Sequence, residues 1–369
     1  METTIKVPLY AKAALIIICV FGFVFTLDAG QEIIIPIVYG TIFAILLNPF
    51  VNFLIRKKFG KVLAISITIA VPALLIIGTL YLVSTQTERL TEAYPHLKEK
   101  FILMTNDLVL WASGKFNIEQ GNIFTWLTAT QANAVENIAV GEILNQAGRI
   151  SFVALLIPVY VFMILYYKTL LLEFIHKLFR IQNHVEVAEV LVSIKTIIQS
   201  YLVGLSFEVV IMAILNSAAL LLLGIDYAIL LGIAGAVLNI IPYIGGMVST
   251  LLPMAIALVT TDSYIYPLLV LVLYVIIQFI DNNLIVPAVV ARKVQINAFI
   301  SIVVVFIGGT LWGVSGIFLS IPLTAIIKVI CDHIEALKPW GFLLGNIYPV
   351  SSKFSFLQHN AGSTILTKH

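Results

Sequence analysis

The stretch Ala228 to Thr260 reads AILLGIAGAVLNIIPYIGGMVSTLLPMAIALVT and is apolar almost throughout. As one helix it would run about 50 Å, whereas a bilayer's hydrocarbon core is about 30 Å thick and takes about 20 helical residues. Near its middle stands Asn239-Ile240-Ile241-Pro242-Tyr243-Ile244-Gly245-Gly246. Pro242 lacks a backbone donor, and Gly245 and Gly246 disfavour helix. Two apolar arms of about a dozen residues remain, each too short to span. The stretch is expected to be a re-entrant helical hairpin, its tip shaped by Pro242, Tyr243, Gly245 and Gly246.

Ala298 to Ile330 has the same form, broken at Gly308-Gly309-Thr310-Leu311-Trp312-Gly313-Val314-Ser315-Gly316. The two stretches continue as GGMVSTLLPMAIALV and SGIFLSIPLTAIIKV, each with Gly, then Ser, then Pro253 or Pro322, then an apolar tail. Two span-plus-hairpin units that enter from opposite faces form an inverted repeat. That arrangement brings unwound backbone to the depth at which transporters bind substrates and ions. Irregular backbone is tolerated there only where protein or a water-filled cavity satisfies it.

Composition agrees with a bilayer as solvent. The chain is 60% hydrophobic and 11% charged, with a mean hydropathy of +1.06, where a soluble domain is about 25% charged. Long apolar runs cover Ala13 to Leu27, Ile33 to Ile55, Val62 to Val83, Ile150 to Tyr167, Tyr201 to Leu223 and Tyr264 to Pro287. The expected fold is an all-α polytopic membrane protein with about six full spans plus two re-entrant hairpins. The first run is long and closely followed by a second, so it reads as a span rather than a cleavable signal. Cys19 and Cys331 lie in or at the end of apolar helices and can build neither a disulfide framework nor a metal cluster. The net charge of +2 gives no sign of a nucleic-acid partner.

Charge distribution orients the chain, because Lys and Arg are retained on the cytoplasmic side. Only Arg89, Lys98, Lys100, Lys115 and Arg149 of the 21 basic residues fall outside in this reading, all in the acid-rich segment 84–149. The short outer turns lack Lys and Arg, and their acids Asp28, Glu32, Asp226 and Asp262 are simply solvated. As hairpins, the last two apolar stretches place Arg292 and Lys293 inside; as single broken spans they would place them outside. The organisation is therefore N-terminal spans over 1–83, a helical outer cap over 84–149, a span plus an amphipathic inner-surface helix over 150–200, a transport core over 201–340 and a cytoplasmic tail over 341–369. Both termini are expected inside. The surface helix reads Leu170 to Ser200, with Glu173, Lys177, Arg180 and His184 as its polar stripe.

The sixth span carries polar groups: Gln278-Phe279-Ile280-Asp281-Asn282-Asn283, then Pro287. Gln278, Asp281 and Asn282 are three and four apart and share a helix face. Pro287 frees a backbone carbonyl one turn earlier. Lipid exposure of such groups is costly, so the face points into the protein. Glu208 is a second acid within a span, with Gly204 and Ser206 nearby and Asn216 two turns on. Asp281 and Glu208 are candidate coupling acids, and Gln278, Asn282, Asn283, Asn239 and Asn216 are candidate polar ligands. A helix–helix hydrogen-bond network, or for Glu208 an interfacial salt bridge with Lys195, is the competing structural role.

Enzyme signatures are missing from the sequence. Gly313-Val314-Ser315-Gly316 matches a GxSG pattern, but none of the six histidines falls in mid-span to serve as its base. There is no HExxH pair and no GxxxxGK[ST] loop, so neither zinc nor ATP chemistry is expected. No cofactor is expected. A scaffold without transport explains the hydrophobicity but neither the buried acids nor the broken helices.

The chain resembles the autoinducer-2 exporter family of bacterial membrane proteins. The resemblance runs from Tyr201-Leu202-Val203-Gly204 through Asn239-Ile240-Ile241-Pro242-Tyr243-Ile244-Gly245-Gly246 and Gln278 to Pro287, then Gly313-Val314-Ser315-Gly316-Ile317-Phe318-Leu319-Ser320-Ile321-Pro322. It implies a multi-pass protein of the bacterial inner membrane that forms homo-oligomers, with a pentamer as the expected state. Family members are associated with export of the quorum-sensing signal autoinducer-2, and some with sodium–proton exchange. Members often show Gly-Pro after IPYI, where this chain has Gly245-Gly246, and often Glu where Asp281 stands. The expected function is a secondary transporter of small hydrophilic solutes; the alternative is a cation/proton antiporter. The expected partners are membrane lipid, further copies of the chain, and a small polar solute or a cation and a proton. The hairpin-shaping positions are Pro242, Tyr243, Gly245, Gly246, Gly309, Gly313, Pro287 and Pro322.

Overall fold

In hydrocarbon each backbone N–H and C=O must be satisfied within its own segment, so apolar runs of this length fold as helices. The computed structural model describes residues 8–81, 84, 103, 109–110, 113–114, 155–180, 183–241, 244–261, 263, 265–289 and 296–346. Nearly all of the expected outer cap lies outside the described residues, as do Pro242, Tyr243, Arg292, Lys293 and the tail beyond residue 346. The helices are α1 (Leu9–Ala29), α2 (Gln31–Arg56), α3 (Lys61–Tyr81), α4 (Leu155–Tyr166), α5 (Lys168–Leu178), α6 (His184–Leu222), α7 (Ala228–Leu238), α8 (Ile244–Thr260), α9 (Ile265–Ile280), α10 (Val286–Val289), α11 (Ala298–His333) and α12 (Lys338–Leu344). Among the described residues there is no strand, only an isolated bridge between Ile296 and Gly345.

Among the described residues six helices are long and apolar enough, by length and composition alone, to cross a membrane: α1, α2, α3, α6, α9 with α10, and α11, the last of which is broken near its middle. The fourth expected span is described only from Leu155, and after Tyr166 the chain bends by 68° into α5. The fifth differs from expectation. The surface helix expected to end at Ser200 continues into the span as the 39-residue α6. No Gly or Pro lies between His184 and Val203 to stop it, so the helix runs about 58 Å. Only α5 stays separate, with Glu173 and Lys177 paired at 3.5 Å on its polar side.

The long α6 is the mast of the fold. Its Ile198, Tyr201, Leu202 and Leu205 pack with Ile35 and Ile42 of α2 and Leu319 of α11. Farther along, Met212 and Ala219 pack with Ala236 of α7 and Ile277 of α9. Leu220 meets Leu231, Ala257 and Val270. A separate cluster joins α2, α3 and α4 through Ala44, Val51, Ile65, Val161 and Leu165.

Both interrupted stretches double back. α7 stops at Leu238 and α8 begins at Ile244, so the chain breaks between these two residues, and Gly245 and Gly246 lie in the first turn of α8. A Cβ on Gly235 would lie 3.3 Å from Ser249 of α8 and 3.3 Å from Asn216 of α6, so α7 is clasped between the two. α11 is broken at Trp312 and Gly313; Gly313 has φ 59° and ψ −138°, a conformation open to glycine alone. Gly308 and Gly316 face each other so closely that a Cβ on either would strike the other's carbonyl. In a straight helix they would be about 12 Å apart. At the foot, Asn297 Oδ1 caps α11 by accepting from Ile300 N at 2.9 Å, while its Nδ2 donates to Leu343 O at 2.7 Å. The tip is tied to the last turn of α1, where Trp312 Nε1 donates to Leu27 O at 3.0 Å.

Candidate functional site

The acid of the sixth span sits at a defect in its own helix. α9 passes into a π-helical turn, Asp281–Ile285, before α10. Pro287 gives no N–H to the carbonyl four residues back, and a π turn absorbs one extra residue in the ladder. Asn283 Nδ2 donates to Phe279 O, in the last turn of α9, at 2.8 Å. The wider turn aims Asp281 inward, leaving it 1% exposed.

Asp281 Oδ2 accepts from Asn239 Nδ2 at 2.9 Å and from Gln278 Nε2 at 3.5 Å. Asn239 caps α7 at the tip of the first hairpin. Gln278 lies flat on Gly246, whose Cβ position is 2.8 Å from Gln278 Oε1. The hairpin tip and the broken span are thus joined through a carboxylate. Glu208 approaches from α6, 7% exposed, near enough for its charge to interact with that of Asp281. It makes no ion pair with a described residue, so the salt bridge with Lys195 considered from the sequence is not formed.

These groups line a cavity of about 920 Å³ between α6, the first hairpin, α9 and α11. That volume suits a small-molecule site. Its walls are mostly apolar, with polar groups concentrated at Glu208, Asn239, Thr250, Gln278, Asp281 and Asn282. Asp281 Oδ1 and the Tyr274 hydroxyl are buried without a hydrogen-bond partner among the described residues, as are both polar atoms of Asn216. Within a bilayer each such group is costly. A polar solute, a hydrated cation or water in the cavity, held by Asp281 Oδ1 and the Tyr274 hydroxyl, would offset the cost at those two groups. Among the described residues no three His, Cys, Asp or Glu side chains gather where they could hold a metal ion.

Of the residues singled out in the sequence, Asp281, Glu208, Asn239, Gln278, Asn282 and Gly246 meet at this cavity. Asn216 does not line it but is buried beside Gly235, in the α6–α7 contact. Asn283 is exposed and occupied with its own helix. Gly245 packs against Leu238 and Asn239, and Gly309 against Ile317; Gly313 is exposed at the second break. Pro322 is fully buried within α11, and Pro287 is exposed. Tyr201, Tyr274, Thr250 and Ser301 also line the cavity and were not singled out. Tyr274 carries a readable signal: it stands four residues before Gln278 and seven before Asp281, on one helix face.

A multi-pass helical bundle with a mostly apolar cleft that carries two acids and several amides beside two interrupted helices has the form of a membrane transporter. The chain belongs to the AI-2E family transporters, whose family model matches residues 14–336. It is similar to the AI-2 transport protein TqsA of Escherichia coli (strain K12), 24% identical over 348 residues, 93% of this chain and 96% of that protein. YueF of Bacillus subtilis (strain 168) is 24% identical over 311 residues, 79% of this chain and 82% of its own. YhhT of Escherichia coli (strain K12) is 21% identical over 328 residues, 88% of this chain and 91% of its own. The names of the last two give no substrate.

Proposed function

We propose that this chain is a secondary transporter that carries a small hydrophilic solute through the cleft around Asp281, with export of a signal such as autoinducer-2 as its specific form. The observation that carries this reading is the junction of Asn239, Gln278 and Asp281. It binds a hairpin tip to a broken span with a buried carboxylate, so ligand binding at Asp281 and movement of the hairpin are mechanically one event. The similarity to TqsA, a protein named for AI-2, extends over nearly the whole chain and supports the choice of solute. The arrangement we favour has both hairpins re-entrant in an inverted repeat, both termini cytoplasmic, and several copies of the chain assembled in the bacterial inner membrane.

A second reading, cation/proton antiport, is favoured by one observation: Glu208 and Asp281 share the cleft with no cationic partner among the described residues. Two acids without a counter-charge suit a cation that alternates with protons. Flux in vesicles separates the readings. Purified protein in sealed vesicles should move autoinducer-2 when a proton gradient is imposed. Sodium movement against protons, with no effect of the signal molecule, would establish the antiport reading instead. Vesicles that move neither above the protein-free background would remove both.

A further inference from the structure

We propose that the elbow between α4 and α5 is a binding site for the headgroup of an anionic phospholipid, held by Lys61, Lys168 and Lys195. Three elements are joined there by hydrogen bonds, α2 through Asn48, α3 through Lys61 and the elbow through Tyr166 and Lys168, and Lys195 of α6 is near enough for its charge to act on Lys168. The site is built rather than a scatter of surface lysines. Lys168 Nζ donates to Asn48 Oδ1 at 3.0 Å, and Asn48 is only 7% exposed. Lys61 Nζ donates to the Tyr166 carbonyl at 2.7 Å and lies 5.0 Å from the centre of the Tyr166 ring. Two ammonium groups are thus fixed by neutral partners, each with N–H donors left over.

Lys168 feels the repulsion of both Lys195 and Lys61. No described carboxylate relieves it, since the acids that pair with lysine do so at Lys177, Lys328 and Lys338. Arg56 at the end of α2 and Lys57 and Lys58 in the turn that follows add to the positive field. Three like charges held together call for an anion. The position says which kind. The elbow ends an apolar helix, and α5 leaves it at 68° with Leu170 and Phe174 exposed, as a helix at the headgroup boundary does. Basic pockets between helices at that depth recognise acidic lipid headgroups, while Leu170 and Phe174 offer a surface to the acyl chains. The proposal does not depend on which solute the cleft carries.

The test is lipid retention by the purified full chain, read by native mass spectrometry with phosphatidylglycerol and phosphatidylcholine supplied in equal amounts. The wild type should retain phosphatidylglycerol selectively. The triple variant Lys61→Gln/Lys168→Gln/Lys195→Gln should lose on the order of 100-fold in apparent affinity for it, and the triple Lys→Arg variant should keep it. Unchanged phosphatidylglycerol retention in the Gln variant overturns the proposal. So does displacement of the lipid by millimolar inorganic phosphate, which would mark a site for a soluble anion. Should the Gln variant fail to fold, the wild type still decides. Phosphatidylglycerol must raise its unfolding midpoint above that in phosphatidylcholine, and equal midpoints refute the site.

Discussion

Asp281→Asn should abolish coupled flux while the protein still folds and assembles. The substitution keeps the shape of the side chain and an acceptor oxygen for Asn239 Nδ2, which now donates to Asp281 Oδ2 at 2.9 Å. Losing the charge of one hydrogen-bond acceptor costs about 1 kcal/mol of stability, which a bundle of this size tolerates. What is lost is the negative charge in a cleft where, among the described residues, only Glu208 supplies another. A carboxylate that serves merely to tie the hairpin tip to α9 would be replaced by Asn with little effect on flux. Assembly by gel filtration and flux in vesicles, measured on the same preparation, separate the roles. Asp281→Glu, which keeps the charge on a longer arm, should retain part of the flux.

Gly316→Ala should be among the most damaging small substitutions in the chain. A Cβ at that position strikes the Gly308 carbonyl, which is backbone and cannot rotate away. The arms of the second hairpin must part, at about 1–3 kcal/mol for the overpacking and more in lost packing of Leu319 against α6. Gly308→Ala breaks the same contact from the other side. The double variant should therefore cost less than the sum of the two. Gly22→Ala is the control: nothing lies within 4 Å of its Cβ position, and in mid-helix alanine should be neutral or stabilising by up to about 1 kcal/mol. Thermal unfolding in detergent ranks the four proteins. A Gly316→Ala midpoint equal to that of Gly22→Ala would contradict the doubled-back geometry.

Much of this was legible in the sequence because bilayer physics leaves few options. Length and hydropathy alone mark the spans, and the cluster Asn239 to Gly246 marks the region of the first break, although Gly245 and Gly246 themselves begin α8. The second break was legible as a region, from Gly308 to Gly316, but not as a point. Several glycines there could have turned the chain, and the packing of Gly308 on Gly316 leaves Gly313 to adopt the positive φ. The continuity of α6 was hidden by composition: its first half is polar enough to read as a surface helix, yet nothing in it stops a helix. At the site, regular α-helical spacing put Gln278, Asp281 and Asn282 on one face but could not foresee the π turn that separates buried Asp281 from exposed Asn283. The contact of Asn239 with Asp281 spans 42 residues and depends on how the hairpin leans, which local pattern does not encode.

The central claim is that the cleft around Asp281 is the path of the solute, and a single cysteine tests it most directly. Thr250 faces the cleft from α8 and is half-buried, while Leu268 on α9 is 53% exposed and does not line it. In a chain whose Cys19 and Cys331 are replaced by Ala, Thr250→Cys should react with a small water-soluble thiosulfonate, and the reaction should stop flux in vesicles. Leu268→Cys should stay unmodified by the same reagent. A Thr250→Cys protein that transports normally after complete modification, or that never reacts while transporting at the wild-type rate, would contradict a water-filled path through this cleft.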